Sequence, residues 1–75
     1  MKNIQEIIRE ILFLPEDEKL KPEDGPGSIE AWDSINHVNI INTLEEELEI
    51  TFSDDDIVKM ENLKTIEEIV KSKTD

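Results

Sequence analysis

The stretch Trp32-Asp33-Ser34-Ile35-Asn36-His37-Val38 marks the point where a turn-rich segment ends and a long amphipathic helix begins. Asp33 suits the N-cap position, because its short carboxylate can accept a free backbone N–H of the first turn. Ser34 then occupies the first helical position, where its hydroxyl is not needed as a cap and can face solvent. The positive end of the helix dipole and nearby unpaired N–H groups favour an anion there. We therefore predict that Ser34 is a modification site suited to a phosphate group.

Apolar residues at helical spacing predict one helix before this stretch and the longest helix after it. The first covers residues 3–13, with Asn3 and Glu6 imitating a capping box, and Pro15 ends it by disfavouring helical geometry at Leu14. Phe13 or Leu14 is expected to turn back into the core. The longest helix covers residues 34–49. Its core-facing residues are predicted to be Ile35, Val38, Ile41, Leu44 and Leu48, with Ile40 widening the stripe.

The remainder of the chain predicts a short third helix and a final helix. Residues 50–52 are expected to be extended, with Ile50 and Phe52 facing inward. Ser53 is placed to cap the short helix, whose acidic first turn complements the helix dipole. Its buried side is predicted to hold Ile57, Val58 and Met60. Thr65 with Glu68 predicts a capping box for the last helix, whose core contacts are Ile66, Ile69 and Val70.

A long connection of residues 15–32 separates the first two helices, and it is rich in turn-forming proline and glycine. A loop of this length in a small domain is uncommon and often functional. Its predicted anchors to the helices are Leu20, Ile29 and Trp32. The predicted fold class is therefore all-α: a small bundle of three main helices plus one short helix, with a long loop between helices 1 and 2.

Length and charge narrow the functional classes. Residues 1–75 are expected to form a single domain, too small for a deep catalytic pocket. No apolar segment suits a membrane span or a signal peptide, so we expect a cytoplasmic monomer without membrane insertion. The net charge of −12 disfavours nucleic acid and favours basic partner surfaces. No cysteine is present, which excludes disulfides and thiolate metal sites.

The sequence around Ser34 resembles the acyl carrier protein family, including the carrier domains of polyketide and nonribosomal peptide assembly lines. The family signature Asp-Ser-Leu at the start of the second helix is matched by Asp33-Ser34-Ile35. Val38 matches an apolar residue four positions after the serine, and residues 44–47 match a Leu-Glu-Glu-Glu stretch. Ile50-Thr51-Phe52, the acidic third helix, the length and the helix order also agree. The resemblance extends over nearly the whole chain.

The resemblance implies a function that the residues alone do not state. Ser34 would carry a 4′-phosphopantetheine arm, taken from coenzyme A, whose thiol holds acyl or aminoacyl cargo as a thioester. Asp33 would orient the cation-dependent phosphopantetheinyl transferase complex, and Ile35 would be a flanking apolar contact. Other expected partners are acyl-loading and acyl-processing enzymes with basic docking surfaces. The predicted docking residues are Val38, Glu45, Glu46 and Glu49, and the protein itself would not be an enzyme.

Four residues around Ser34 depart from the fatty-acid-synthesis members of that family, which have more acidic residues in this region. They are Trp32, Asn36, His37 and Asn39. The helix start is therefore less acidic than in the housekeeping type. We interpret this as the mark of a specialised stand-alone carrier in a polyketide, lipid or peptide-like pathway.

Two alternative functions and one possible metal site compete with the carrier interpretation. The first alternative is an acidic interaction module without a prosthetic group. The second is a small hydrolase built on Ser34 and His37, disfavoured because nothing supplies a pocket or an oxyanion hole. His37 is predicted instead to be an exposed surface residue. Asp54 to Asp56 lack the alternate spacing and glycine of a calcium loop, so no metal site is predicted.

Overall fold

The computed structural model describes residues 3–74, which form four α-helices. They are α1 (Ile4–Leu12), α2 (Ser34–Leu48), α3 (Asp54–Lys59) and α4 (Leu63–Thr74). The loop of residues 13–33 joins α1 to α2. Residues 3–74 contain no β-strand. The predicted all-α bundle with its long first loop is confirmed.

Both ends of α1 follow from local backbone chemistry. The Asn3 side chain accepts the Glu6 N–H at 2.8 Å, so Asn3 caps the helix and provides one half of the predicted capping box. After Leu12, Phe13 adopts a left-handed conformation with φ of 57°. Its N–H and that of Leu14 then bond to carbonyls of the last turn. Leu14 packs against the core as predicted for one of this pair, whereas Phe13 is 93% exposed.

One hydrophobic core joins all the long helices and the loop. α1 packs on α2, and α3 packs on α4. Trp32 is fully buried, Leu20 is buried and Ile29 packs against the core, so the three predicted loop anchors are confirmed. Phe52 is buried and Ile50 is partly buried, as the extended linker requires. The remaining buried side chains are Ile7, Ile8, Leu12, Ile40, Ile41, Leu44, Met60, Leu63, Ile66 and Val70.

The predicted core face of α2 was wrong in its first two turns. Ile35 and Val38 are 73% and 54% exposed, and the buried stripe runs through Ile40, Ile41 and Leu44. His37 continues that stripe toward the helix start and is half-buried. Ile35 lies on the far side of the helix from His37, because two residues advance an α-helix by about 200°. The prediction of His37 as an exposed surface residue was therefore also wrong.

The predicted buried side of α3 was wrong for two of its three residues. Ile57 and Val58 are exposed, and Met60 alone of the three is buried. A helix of six residues is short enough to lie on the surface while the residues at its ends, Phe52 and Met60, anchor it. Its predicted cap is confirmed, since Ser53 and Asp56 exchange side-chain and backbone hydrogen bonds as a capping box.

The capping box predicted from Thr65 and Glu68 was wrong, because α4 begins earlier. Its first residue is Leu63, and Asn62 acts as the cap by accepting the Thr65 N–H at 2.9 Å. The Leu63 and Lys64 N–H groups donate to the carbonyls of Asp24 and Pro22 in the long loop. The free amides of the first turn are thus satisfied partly by a segment distant in sequence.

An ion pair links α3 to α4. The Lys73 ammonium lies 2.8 Å from the Asp56 carboxylate. The hydrogen bond from Lys73, followed by the one from the Ser53 backbone, lowers the pKa of Asp56 from 3.8 to about 2. The same carboxylate thus caps α3 and holds the end of α4.

Candidate functional site

The start of α2 presents Ser34 to solvent. Asp33, with extended backbone, accepts the Asn36 N–H at 2.8 Å and fulfils its predicted role as N-cap. Ser34 is the first helical residue, and its side chain is exposed. Within residues 3–74 the Ser34 hydroxyl meets no hydrogen-bond partner. The structure therefore places an unengaged hydroxyl at the positive end of a 15-residue helix.

The other three serines of the chain differ from Ser34 in a way that matters chemically. The Ser28 hydroxyl donates to the Gly25 carbonyl at 2.9 Å, and Ser72 donates to the Ile69 carbonyl at 2.7 Å. The Ser53 hydroxyl accepts the Asp56 N–H at 3.1 Å. All four side chains are exposed, but only that of Ser34 has its hydroxyl free for bond formation.

A frame of side-chain hydrogen bonds fixes the helix start against the preceding loop. The Asn36 amide donates to the Ala31 carbonyl at 2.8 Å. The Trp32 indole Nε1–H donates to His37 Nδ1 at 3.0 Å. The His37 backbone N–H donates to the Asp33 carbonyl at 2.9 Å and closes the first helical turn. Ser34 therefore lies in a helical turn that two side-chain hydrogen bonds, from Asn36 and to His37, tie to the loop.

His37 cannot serve as the base for Ser34. Its Nδ1 accepts the bond from the Trp32 indole, so the ring proton resides on Nε2 in the neutral form. A hydrogen bond with the Met60 backbone also engages the ring. Burial lowers the pKa of His37, and the Met60 hydrogen bond opposes that effect. Because the ring nitrogen that carries the lone pair already accepts the Trp32 indole N–H, the geometry gives no support to a Ser34–His37 hydrolase.

The predicted docking residues fall into two groups. Val38, Glu46 and Glu49 are exposed, as is Ile35. Ile35, Val38 and Glu46 share one side of α2, and Glu49 follows its last turn. Glu45 is half-buried instead, and its Oε2 accepts the Phe52 N–H at 2.9 Å. One oxygen of Glu45 is therefore committed to holding the linker after α2.

Sequence reasoning missed two features of the structure. The exposed apolar pair Ile57 and Val58 was placed in the core, because a short helix gives too few residues to fix its phase. The bond between Trp32 and His37 was missed for a related reason. The spacing of the buried residues of α2 contained the signal. When the stripe Ile40, Ile41 and Leu44 is continued one turn toward the start of the helix, it reaches His37.

Neither a candidate metal cluster nor a membrane-spanning helix is found among the described residues. Across residues 3–74 no cluster of three or more histidine, cysteine or acidic residues could bind a metal ion. Within the same range, no helix has both the length and the apolar content to cross a bilayer. Surface depressions lined by residues of α1 and α4 do not include Ser34.

Comparison with known proteins gives a family match and a structural match. A family model described as a phosphopantetheine attachment site matches residues 2–72. The solution NMR structure of the holo acyl carrier protein from Geobacter metallireducens matches with a TM-score of 0.84 and 28% sequence identity. That alignment covers 93% of this chain and 79% of the Geobacter chain. No curated protein sequence matches significantly.

Proposed function

The chain belongs to the phosphopantetheine attachment family, and on this premise we propose that Ser34 is the residue that bears the arm. The family makes it a carrier protein rather than an enzyme, with 4′-phosphopantetheine as its covalent prosthetic group. We also propose that residues 1–75 act as one carrier domain. The arm supplies a terminal thiol on which cargo is held as a thioester.

The state of the Ser34 hydroxyl is the observation that supports this assignment. It is exposed and free, whereas the hydroxyls of Ser28, Ser53 and Ser72 are engaged. The Ser34 and Ile35 amides in the first turn of α2 also meet no acceptor within the described residues. These amides and the helix dipole suit the single negative charge of a phosphodiester. The residues present therefore fit the group.

The attachment chemistry asks little of this chain beyond presentation. The Ser34 oxygen forms a bond to the phosphorus of coenzyme A that carries the pantetheine, and the bond to the nucleotide phosphate breaks. The hydroxyl proton leaves, and an adenosine bisphosphate is released. Asp33 contributes by fixing the first turn, since its carboxylate holds the Asn36 N–H. The base and the cation for this step belong to the transferase.

Intact mass spectrometry tests the assignment. We expect the purified apo chain, incubated with coenzyme A and a broad-specificity phosphopantetheinyl transferase, to gain the mass of one phosphopantetheine. The Ser34→Ala variant should gain nothing, because no other serine hydroxyl is free. The matched control is Ser72→Ala, which removes a different exposed serine and should be modified like the wild type.

Two results would contradict the carrier assignment. A mass gain that persists in Ser34→Ala would place the arm elsewhere. No gain with several active transferases would favour the acidic interaction module without a prosthetic group.

The surroundings of Ser34 support a specialised pathway for this carrier. The first turn of α2 contains no acidic side chain, and Asn36 is engaged with the Ala31 carbonyl. Enzymes that recognise an acidic helix start would gain little charge attraction here. We therefore place its acyl or aminoacyl cargo in polyketide, lipid or peptide-like synthesis rather than in housekeeping fatty acid synthesis. The test is to measure which enzymes load candidate cargoes onto this carrier. We expect the enzymes of a specialised pathway to load it faster than the components of the housekeeping synthase do.

Docking is proposed to use the exposed side of α2, where apolar and acidic residues follow each other. Ile35 and Val38 supply the apolar contacts, and Glu46 and Glu49 attract a basic partner surface. Glu45 contributes charge while its carboxylate also holds the Phe52 amide. The transferase is the partner on which this surface is most simply tested.

Neutralising the two fully exposed docking acids should slow modification of Ser34. We expect Glu46→Gln/Glu49→Gln to lower the kcat/KM of the transferase roughly threefold to tenfold at low salt, with the difference shrinking as salt rises. The matched control is Glu67→Gln/Glu68→Gln, which removes the same charge from exposed positions of α4. Equal effects of the two pairs would show that net charge acts, rather than a docking surface on α2.

A further inference from the structure

The bond between Trp32 and His37 connects three parts of the chain at a single point. Trp32 is the last anchor of the long loop, and its side chain is fully buried. His37 lies one turn into α2 and accepts the indole N–H at 3.0 Å. The ring also shares a hydrogen bond with the backbone of Met60, the residue that ends α3. The His37 imidazole thus links the loop, the start of α2 and the end of α3.

The hydrogen bond between Trp32 and His37 can form in one direction only. The Trp32 indole nitrogen can only donate, so it requires an acceptor at His37 Nδ1. Protonation of Nδ1 would place a second N–H in the same 3.0 Å contact, with two donors facing each other. Because Trp32 has no exposed surface, its N–H cannot turn to water. The link therefore exists only while the imidazole is neutral.

We propose that His37 is a positioning residue for Ser34: its neutral ring holds the first turn of α2 in the geometry that the transferase requires, and its protonation releases that turn. This inference rests on the proposed attachment of the arm to Ser34. Ser34 lies between the two linked residues in the chain, and the Asp33 carbonyl accepts the His37 N–H. Movement of the ring is therefore transmitted through the same helical turn that presents the hydroxyl.

The surroundings of His37 favour its neutral form. Its pKa is lowered by burial, against the opposing effect of the Met60 hydrogen bond. The groups that face the ring from the packed elements are the Trp32 indole and the Met60 backbone. The nearby charged residues are Asp33, whose carboxylate caps α2, and the exposed Lys59 and Glu61 that flank Met60. Since the folded pKa lies below that of the unfolded chain, the link is intact at neutral pH and is lost as the pH falls through the folded value.

The composition of the chain makes the titration simple to observe. It has one tryptophan and one histidine, so a single indole N–H cross-peak reports the link and a single imidazole titrates. In NMR spectra recorded from about pH 8 downward until the imidazole is fully protonated, we expect the indole and Ser34 amide cross-peaks to move with one shared inflection. In His37→Asn both should lose that inflection, because the amide oxygen takes the place of Nδ1 as acceptor and does not titrate in this range. A Ser34 amide that ignores the titration would overturn the positioning role.

The rate of phosphopantetheine transfer tests the consequence for function. At each pH the wild-type rate is divided by that of His37→Asn, which cancels the pH dependence of the transferase itself. We expect this ratio to fall at least about fivefold toward acid pH, the effect of leaving one buried donor without its acceptor. In Trp32→Phe the donor is absent, so the rate should show much less of this acid loss.

A ratio that stays constant with pH, while transfer proceeds, would contradict the positioning role alone. Absence of transfer to the wild type and every variant would contradict the proposed function of Ser34, and the positioning role would fall with it. Melting temperatures of the three proteins at each pH establish that the folded chain is compared throughout.

Discussion

At the scale of single residues, α1 and α2 are each followed by a residue in a left-handed backbone conformation that is unfavourable for any residue with a side chain. Phe13 follows α1 with φ of 57°, and Glu49 follows α2 with φ of 54°. Glycine is the usual residue at this position, because a side chain in the left-handed region costs about 1 kcal/mol. Neither side chain repays this cost through burial, since Phe13 and Glu49 are both exposed. These positions therefore store strain that the rest of the fold must offset.

Replacing Phe13 by glycine should stabilise the protein. We expect Phe13→Gly to raise the free energy of unfolding by about 0.5–1 kcal/mol, because relief of the left-handed strain exceeds the added entropy of the unfolded chain. Urea denaturation measures the change. The control Phe13→Ala removes the exposed ring but keeps the strained backbone, and it should gain nothing. If both variants lose stability, the ring makes a contact that outweighs the strain.

Local rules were enough to predict the helix start around Ser34 but not the contacts that support it. Asp33 as a cap and Ser34 as the first helical residue depend on local rules, and the structure has both. The burial of His37 depends on which face of α2 packs against the core. That face was predicted wrongly because the apolar Ile35 and Val38 were included in it. An apolar residue does not have to be buried, and on a carrier it can be kept for partners.

At the scale of elements, the long loop and α4 depend on each other. The Asp24 and Pro22 carbonyls accept the Leu63 and Lys64 N–H groups at 2.8 and 3.0 Å. Sequence patterns predicted the existence of every helix, because each has its own apolar spacing. They missed the start of α4, since half of its first-turn hydrogen bonds come from carbonyls about forty residues away. Local pattern cannot carry such information.

Gly25 should be essential to this junction. It is buried, and a Cβ at this position would run into the Glu61 carbonyl oxygen and the backbone of Asn62. We expect Gly25→Ala to cost about 1–3 kcal/mol and to speed hydrogen exchange of the Leu63 and Lys64 amides, because the loop must move away from α4. Thermal unfolding and exchange measured by NMR report these two effects.

Gly27 provides the matched control for that substitution. It has φ of 91°, but a Cβ there would meet no other atom within 4 Å. Gly27→Ala should therefore lose stability through backbone strain without specific acceleration at Leu63 and Lys64. The same exchange pattern in both variants would indicate general loosening of the loop rather than a clash at the junction.

At the scale of the whole molecule, the net negative charge opposes folding. Twenty acidic and eight basic residues share a chain with a radius of gyration of 11.3 Å. At about 0.01 M salt the Debye length is about 30 Å, which exceeds the 28 Å extent of the fold, so charges on opposite sides still repel each other. Their mutual repulsion destabilises the compact state. The ion pair between Asp56 and Lys73 offsets little of it, because water and salt screen an ion pair at the protein surface.

Salt should consequently stabilise the fold while it weakens docking. We expect an increase from about 0.01 M to about 0.15 M sodium chloride to add roughly 1 kcal/mol of stability, or about 4–8 °C in Tm for a domain of this size. Over the same range the kcat/KM of the transferase should fall, because screening acts on the attraction between α2 and a basic surface. In Glu46→Gln/Glu49→Gln both salt dependences should shrink, since these two exposed acids take part in both effects. A Tm that is flat or falls with salt in the wild type would show that local ion pairs, rather than net repulsion, dominate its electrostatics.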